Sequence, residues 1–194
     1  MSASVDFEWG GTGAALVGAE KFTTITPTLF IGKGFGALPD SARWLRPFAV
    51  TGQAGYAIPS SRSTIAGIDP DSGDPDIERH PYFLVYGGSL QYSMPYLKAN
   101  VTDLGLPDFF NRLIFLVEAQ FQSPVYNNPL GDTRTTGTIN PGVIYVGDKY
   151  QLALEAIVPI NRDSGGNVGV VAQLHLYLDD IFPQTFGRPL LAAR

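Results

Sequence analysis

The chain has no cysteine, which excludes disulfide frameworks, thiolate nucleophiles and cysteine-ligated zinc. It is also poor in charge: Asp, Glu, Lys and Arg make up 16% of its 194 residues, against roughly 25% in an average soluble domain. The 13 basic and 18 acidic residues give a formal charge of -5 without any Lys/Arg run, so nucleic acid is not an expected partner. No apolar run reaches the roughly 18 residues of a transmembrane helix. Nor does the opening MSASVDFEWG carry the basic stretch and apolar stretch of a signal peptide, so export finds no support in those residues.

What the chain does have is glycine (22), proline (15), aromatics (12%) and a hydrophobic period of two. In GVVAQLHLYLDD, Ala172, Leu174, Leu176 and Leu178 alternate with Gln173, His175, Tyr177 and Asp179. Successive side chains of a strand point to opposite faces, so this reads as a strand with one apolar and one polar face. SASVDFEW, AALVGAEKF, TITPTLFIGKGFG, RWLRPFAVTGQAGYAI, YFLVYGGSLQYSMPY, RLIFLVEAQFQ, TINPGVIYVG and YQLALEAIVPI read the same way. Helical periodicity is nearly absent, and LPDFFNRLIF is better read as strand than as helix. The expected fold is all-β: an antiparallel up-and-down β-barrel of about 8 to 9 strands, either whole or part of a larger barrel. It spans residues 1–182, with a C-terminal tail at 183–194.

Alternation does not say which face meets water. A soluble barrel turns its apolar face inward; a membrane barrel turns it out to lipid and lines its lumen with the polar face. The polar faces here carry Gly, Ser, Thr and Gln more than charge, which favours the membrane. So do Trp9, Trp44, Tyr56, Tyr82, Tyr96, Phe109, Tyr126, Tyr145, Tyr150 and Phe182, which fall near segment ends where interfacial girdles form. The connections Pro59 to His80, Gln122 to Thr136 and Asn161 to Asn167 are long and polar, whereas VGDKY is a tight turn. That asymmetry is expected between the two sides of an outer-membrane barrel.

The stretch YQLALEAIVPINRDSGGNVGVVAQLHLYLDDIFP, Tyr150 to Pro183, resembles the C-terminal hairpin of the MetA-pathway phenol-degradation family of bacterial outer-membrane barrels. The resemblance rests on the strand ending VPINR, the Gly-rich turn and the closing QLHLYLDD. It implies a transporter- or porin-like protein of the bacterial outer membrane, with membrane lipids and small, hydrophobic or aromatic solutes as partners. This chain resembles the C-terminal part of such proteins. The alternatives are a soluble β-barrel binding an apolar ligand and a lipid-modifying outer-membrane enzyme.

No catalytic, cofactor or metal site is expected. His175 as a base would need Ser89 or Ser93 and Asp179 or Glu155 beside it. The acidic stretch DPDSGDPDIE, Asp69 to Glu78, lacks EF-hand spacing, and GKGFG lacks the features of a phosphate loop. Gln91, Glu118, Gln120, Glu155, Gln173 and His175 share the polar side of their segments and are the expected lumen-lining residues. Arg46, Lys33 and Arg112 are candidate ion-pair partners for Glu118 and Glu155.

Overall fold

Eight of the alternating segments become strands of one sheet. The computed structural model describes residues 1–14, 16, 19–129 and 133–185. Its strands are β1 (Ser2–Glu8), β2 (Thr24–Gly34), β3 (Phe48–Pro59), β4 (Ser63–Ile68), β5 (Pro75–Arg79), β6 (Tyr82–Ser93), β7 (Leu113–Tyr126), β8 (Thr136–Val146), β9 (Tyr150–Pro159) and β10 (Gly169–Leu176). Three short helices accompany them: α1 (Met94–Asn100), α2 (Asp108–Asn111) and α3 (Leu178–Ile181). The main sheet is antiparallel throughout, in the order β1-β2-β3-β6-β7-β8-β9-β10, and β4 pairs with β5 in a separate hairpin. The fold is therefore all-β and antiparallel. Among the described residues β1 and β10 are edges, and the sheet is not closed.

The departures from the alternation have local causes. Met94 to Tyr96 leave β6 for α1 because Ser93 Oγ accepts from the Tyr96 amide at 3.2 Å and a proline sits in the first turn, both helix-start features. Asp108–Asn111 likewise turns helical after Pro107. At the far end β10 stops at Leu176, and Leu178 opens α3 with Asp179 and Asp180 in its first turn, where acidic side chains complement the exposed amides. Leu178 therefore does not continue the apolar row. The described residues of 14–22 form no strand, contrary to the reading of AALVGAEKF; residues 15, 17 and 18 lie outside the described set.

Pairing registers carry the alternation across the whole sheet. Val5, Leu29, Ala54, Tyr86, Phe121, Ile139, Leu154 and Leu174 share one face, and every strand contributes apolar side chains to it. The opposite face carries Ser4, Thr28, Gln53, Ser89, Glu118, Asn140, Glu155 and Gln173. The apolar face is the exposed one: Leu29 is 61% and Leu154 51% accessible, whereas Thr28 and Ala153 on the polar face fall to 7% and 8%. Apart from Pro47 and Pro59, buried apolar side chains among the described residues are confined to Ala57, Leu97, Leu113, Leu116 and Ala153.

This inversion follows from curl. One hollow of about 390 Å³ is lined by Met1 and Ser2 at β1 and by Glu118 and Gln120 on β7. Four inter-strand steps separate those strands, roughly 19 Å if the sheet were flat, and the low exposure of Thr28 and Ala153 on the same side puts the polar face on the inside of the bend. Glycines permit the close approach. A Cβ on Gly87 would run into the Ala119 carbonyl, and one on Gly55 would sit 2.5 Å from Thr28 Oγ1. In GKGFG, by contrast, Gly34 has open space around it; the bending glycines are elsewhere. Gly87→Ala is expected to destabilise by about 1–3 kcal/mol, while Gly34→Ala stabilises by a few tenths to ~1 kcal/mol through the unfolded chain. Denaturant titration of both variants checks this, and equal midpoints would contradict it.

Candidate functional site

The registers put all six expected lining residues, Gln91, Glu118, Gln120, Glu155, Gln173 and His175, on the concave face. They do not form one cluster. Gln91 Nε2 donates to Ser89 Oγ at 3.4 Å, and Ser89 in turn shares a 2.8 Å hydrogen bond with Thr51 across β3 and β6. Gln120 and Glu118 face the 390 Å³ hollow, and Gln120 also borders a second of about 360 Å³ beside Thr138 and Ser164. Gln173 and His175 lie on edge strand β10, their Nε2 atoms 3.2 Å apart.

The ion pairs expected for Glu118 and Glu155 do not form. Arg46 binds Asp40 at 2.8 Å and the Leu38 carbonyl at 2.7 Å. Arg112 bridges Asp108 at 2.8 Å and Asp148 at 2.7 Å, which ties α2 to the β8–β9 turn. Hydrogen bonding to Arg112 holds the Asp108 carboxyl below its usual range, and the two carboxylates, Asp148 foremost, push Arg112 further up. Lys33 falls on the apolar face near the end of β2, from where a long side chain reaches water. Both arginines therefore knit connections at one end of the sheet instead of filling its hollow.

The catalytic arrangement considered for His175 is not assembled either. Ser89 is engaged with Thr51, Ser93 caps α1, and Asp179 belongs to α3. His175 itself touches Gln173.

Sequence reasoning passed over the other histidine. His80 is 2% exposed and closes the opposite end of the sheet. Its Nδ1 donates to the Ser61 carbonyl at 2.9 Å, so Nε2 is left to accept from Thr64 Oγ1 at 3.1 Å. The ring stacks on Phe22 at 3.7 Å between centroids. Asn127, in the left-handed region at φ 58° that Asn tolerates, donates to the carbonyls of Arg62 at 2.5 Å and His80 at 2.9 Å. Phe22 from one connection and Ser61 and Thr64 from another therefore meet at one imidazole, and Asn127 from a third fastens the His80 backbone. The Pro59–His80 stretch, read as a plain loop, contains the β4–β5 hairpin. The acidic run forms its tip, where Asp69 Oδ1 accepts from the amides of Asp71 and Ser72 at 2.8 and 3.3 Å. No group of three or more His, Asp or Glu able to hold a metal occurs among the described residues.

The other end also has substantial connections, residues 35–47 and the helical 94–112, so long and short connections are not segregated as cleanly as VGDKY suggested. Aromatic side chains gather at both ends. Phe7 and Trp9 stack at 5.8 Å, and Tyr56, Tyr82 and Tyr126 form a row with 6.1 and 5.3 Å spacings at the His80 end. Phe48–Tyr92 at 4.7 Å and the chain Phe109–Tyr145–Tyr150 at 5.5 and 6.1 Å mark the other.

No family model, no curated protein and no solved structure matches the chain.

Two outcomes follow. Replacing His80 with Ala removes a buried, stacked ring and leaves half-buried partners unpaired, so protease should cut within 60–81 at least several-fold faster than in the wild type; an unchanged cleavage rate would contradict a fastening role for His80. The amide hydrogen bonds of Asp71 and Ser72 lower the Asp69 carboxyl below its ordinary value. A depressed acid stabilises the turn above its unfolded value and loses that contribution as pH falls below about 4. Carbon NMR titration should place the Asp69 midpoint below that of the same residue in a peptide of residues 66–77; coincident midpoints would contradict the turn geometry.

Proposed function

We propose that the chain is a membrane-spanning β-barrel, porin- or transporter-like and not an enzyme, that passes small solutes across a bacterial outer membrane along its polar face. The observation that carries this is the inverted amphipathicity of the curled sheet: apolar side chains outside, polar ones inside. Eight strands about 4.8 Å apart and an apolar band about 25 Å tall make on the order of 900 Å² of hydrocarbon-compatible surface. The largest apolar patch on a typical soluble monomer is roughly 300–600 Å². A soluble barrel with an apolar interior would need the opposite curl.

The two aromatic rows suit the headgroup levels, where amphipathic rings are enriched. Phe48 and Tyr56 lie eight residues apart on β3, about 27 Å along the strand, comparable to the roughly 25 Å apolar band of outer-membrane barrels. The open edges fit as well. With an even number of antiparallel strands, β1 and β10 run antiparallel to each other, the relation a closed barrel needs. Lipid supplies no hydrogen bonds, so an unpaired edge costs several kcal/mol per exposed group there, and closure of β1 on β10 removes that cost. The resemblance of Tyr150–Pro183 to the phenol-degradation family of outer-membrane barrels agrees with this reading.

Val117 gives the direct test. It lies on the apolar face of central strand β7, 45% exposed. Facing lipid, Val117→Arg should cost about 2–4 kcal/mol in vesicles, whereas Gln120→Arg on the concave face should be mild. An exposed residue facing water accepts Arg within about 0.5 kcal/mol. Folding to the native β-structure in plain buffer with a neutral Val117→Arg would overturn the proposal.

A further inference from the structure

We infer that the concave face holds a hard divalent cation between Glu118 and Glu155, with the Asn140 amide oxygen as a further ligand; this deepens the proposed function, on which it rests, by naming cations as the solute class. Across the β7–β8 ladder Glu118 stands opposite Asn140, and across β8–β9 Glu155 stands opposite Gly142, the next concave-face residue of β8. The missing side chain of Gly142 makes room for Glu155, whose Cγ occupies the space a Cβ there would take. Glu155 thereby leans over β8, toward the strand that carries Asn140 opposite Glu118.

Asn140 is 9% exposed, and its Oδ1 is buried with no hydrogen-bond partner. A buried acceptor without a donor is unfavourable, and a cation beside it removes the deficit. Neither carboxylate is ion-paired among the described residues, because Arg46 and Arg112 are engaged elsewhere. Charged residues on the concave faces of the eight strands are Asp6, Glu8, Glu118 and Glu155; neither Lys nor Arg occurs there. Two carboxylates match one divalent charge, and an all-oxygen donor set selects Ca²⁺ or Mg²⁺ over softer metals. So few anionic ligands give weak binding, on the order of 0.1–1 mM, which lets an ion leave as well as enter.

Calcium chloride titrated calorimetrically into the full chain folded in detergent tests the site. One saturable event is expected, weakened on the order of tenfold in Glu118→Gln and in Glu155→Gln and tightened in Asn140→Asp, which adds a carboxylate. Circular dichroism checks that each variant keeps its strands, and the Asn140→Asp gain is a result that misfolding cannot produce. No saturable heat in the wild type, or heat unchanged in the Glu118→Gln/Glu155→Gln pair, would overturn the site. A planar bilayer under a KCl gradient then reads the solute class: cation selectivity that falls in the double variant is expected, and anion selectivity would overturn it. Failure to conduct at all would sink the transport reading and the solute class with it, while the calcium titration still decides the site.

Discussion

Everything in this molecule turns on the direction in which one antiparallel sheet bends. The ladder hydrogen bonds satisfy the backbone whichever way it curls, so they do not choose. Packing chooses: small residues on the polar face, Gly55, Ala57, Gly87 and Gly142 among them, let neighbouring strands crowd on that side, while Leu, Ile, Phe and Tyr spread on the other. The apolar effect, which would normally close a sheet around its hydrophobic face, is thus left unsatisfied by the chain itself. Hydrocarbon outside the sheet is the partner that would satisfy it.

From that bend the remaining features acquire their places. The concave side gathers hydroxyls, amides and four carboxylates, and the hollows bordered by Glu118 and Gln120 lie there. The ends, where strands leave the apolar band, carry the aromatic rows and the polar knots. At one end His80 and Asn127 fasten three connections, and at the other Arg112 joins α2 to the β8–β9 turn through two carboxylates. Exposed pairs of the Arg112 kind contribute little to stability; their effect is to hold chain connections in one arrangement. His80 is different, because the ring itself is buried and its partners are half-buried around it.

Much of this was legible in the sequence, and the limits have physical causes. A period of two is a local property, so β2, β3, β7, β8 and β9 can be read from short windows, and the shared side of Glu118, Glu155 and His175 follows from the alternation. The alternation itself is symmetric under exchange of faces; low charge and end-placed aromatics tilt the choice, and the spacing of glycines against their cross-strand neighbours fixes the direction of the bend. That requires the register. The start of α1 at Ser93 carried a readable cap and proline, but the apolar alternation leading up to it was the stronger pattern. His80 gave no periodic signal at all: Phe22, Ser61 and Thr64 reach it from other parts of the chain. The proximity of Glu155 to Glu118 across Gly142 is likewise invisible until β7, β8 and β9 are aligned.

The chain carries two tryptophans, one at each end of the sheet: Trp9 follows β1, and Trp44 lies in the 3-10 turn Asp40–Leu45 between β2 and β3. This makes the central claim measurable with native probes. In vesicles made with lipids brominated at defined depths, fluorescence of the Trp9→Phe and Trp44→Phe variants reports each end separately. The account predicts that both remaining tryptophans are quenched most strongly by bromines just below the headgroups and weakly by bromines at mid-chain. Fluorescence indifferent to brominated lipid at every depth, from a chain that keeps its β-structure in buffer, would contradict it.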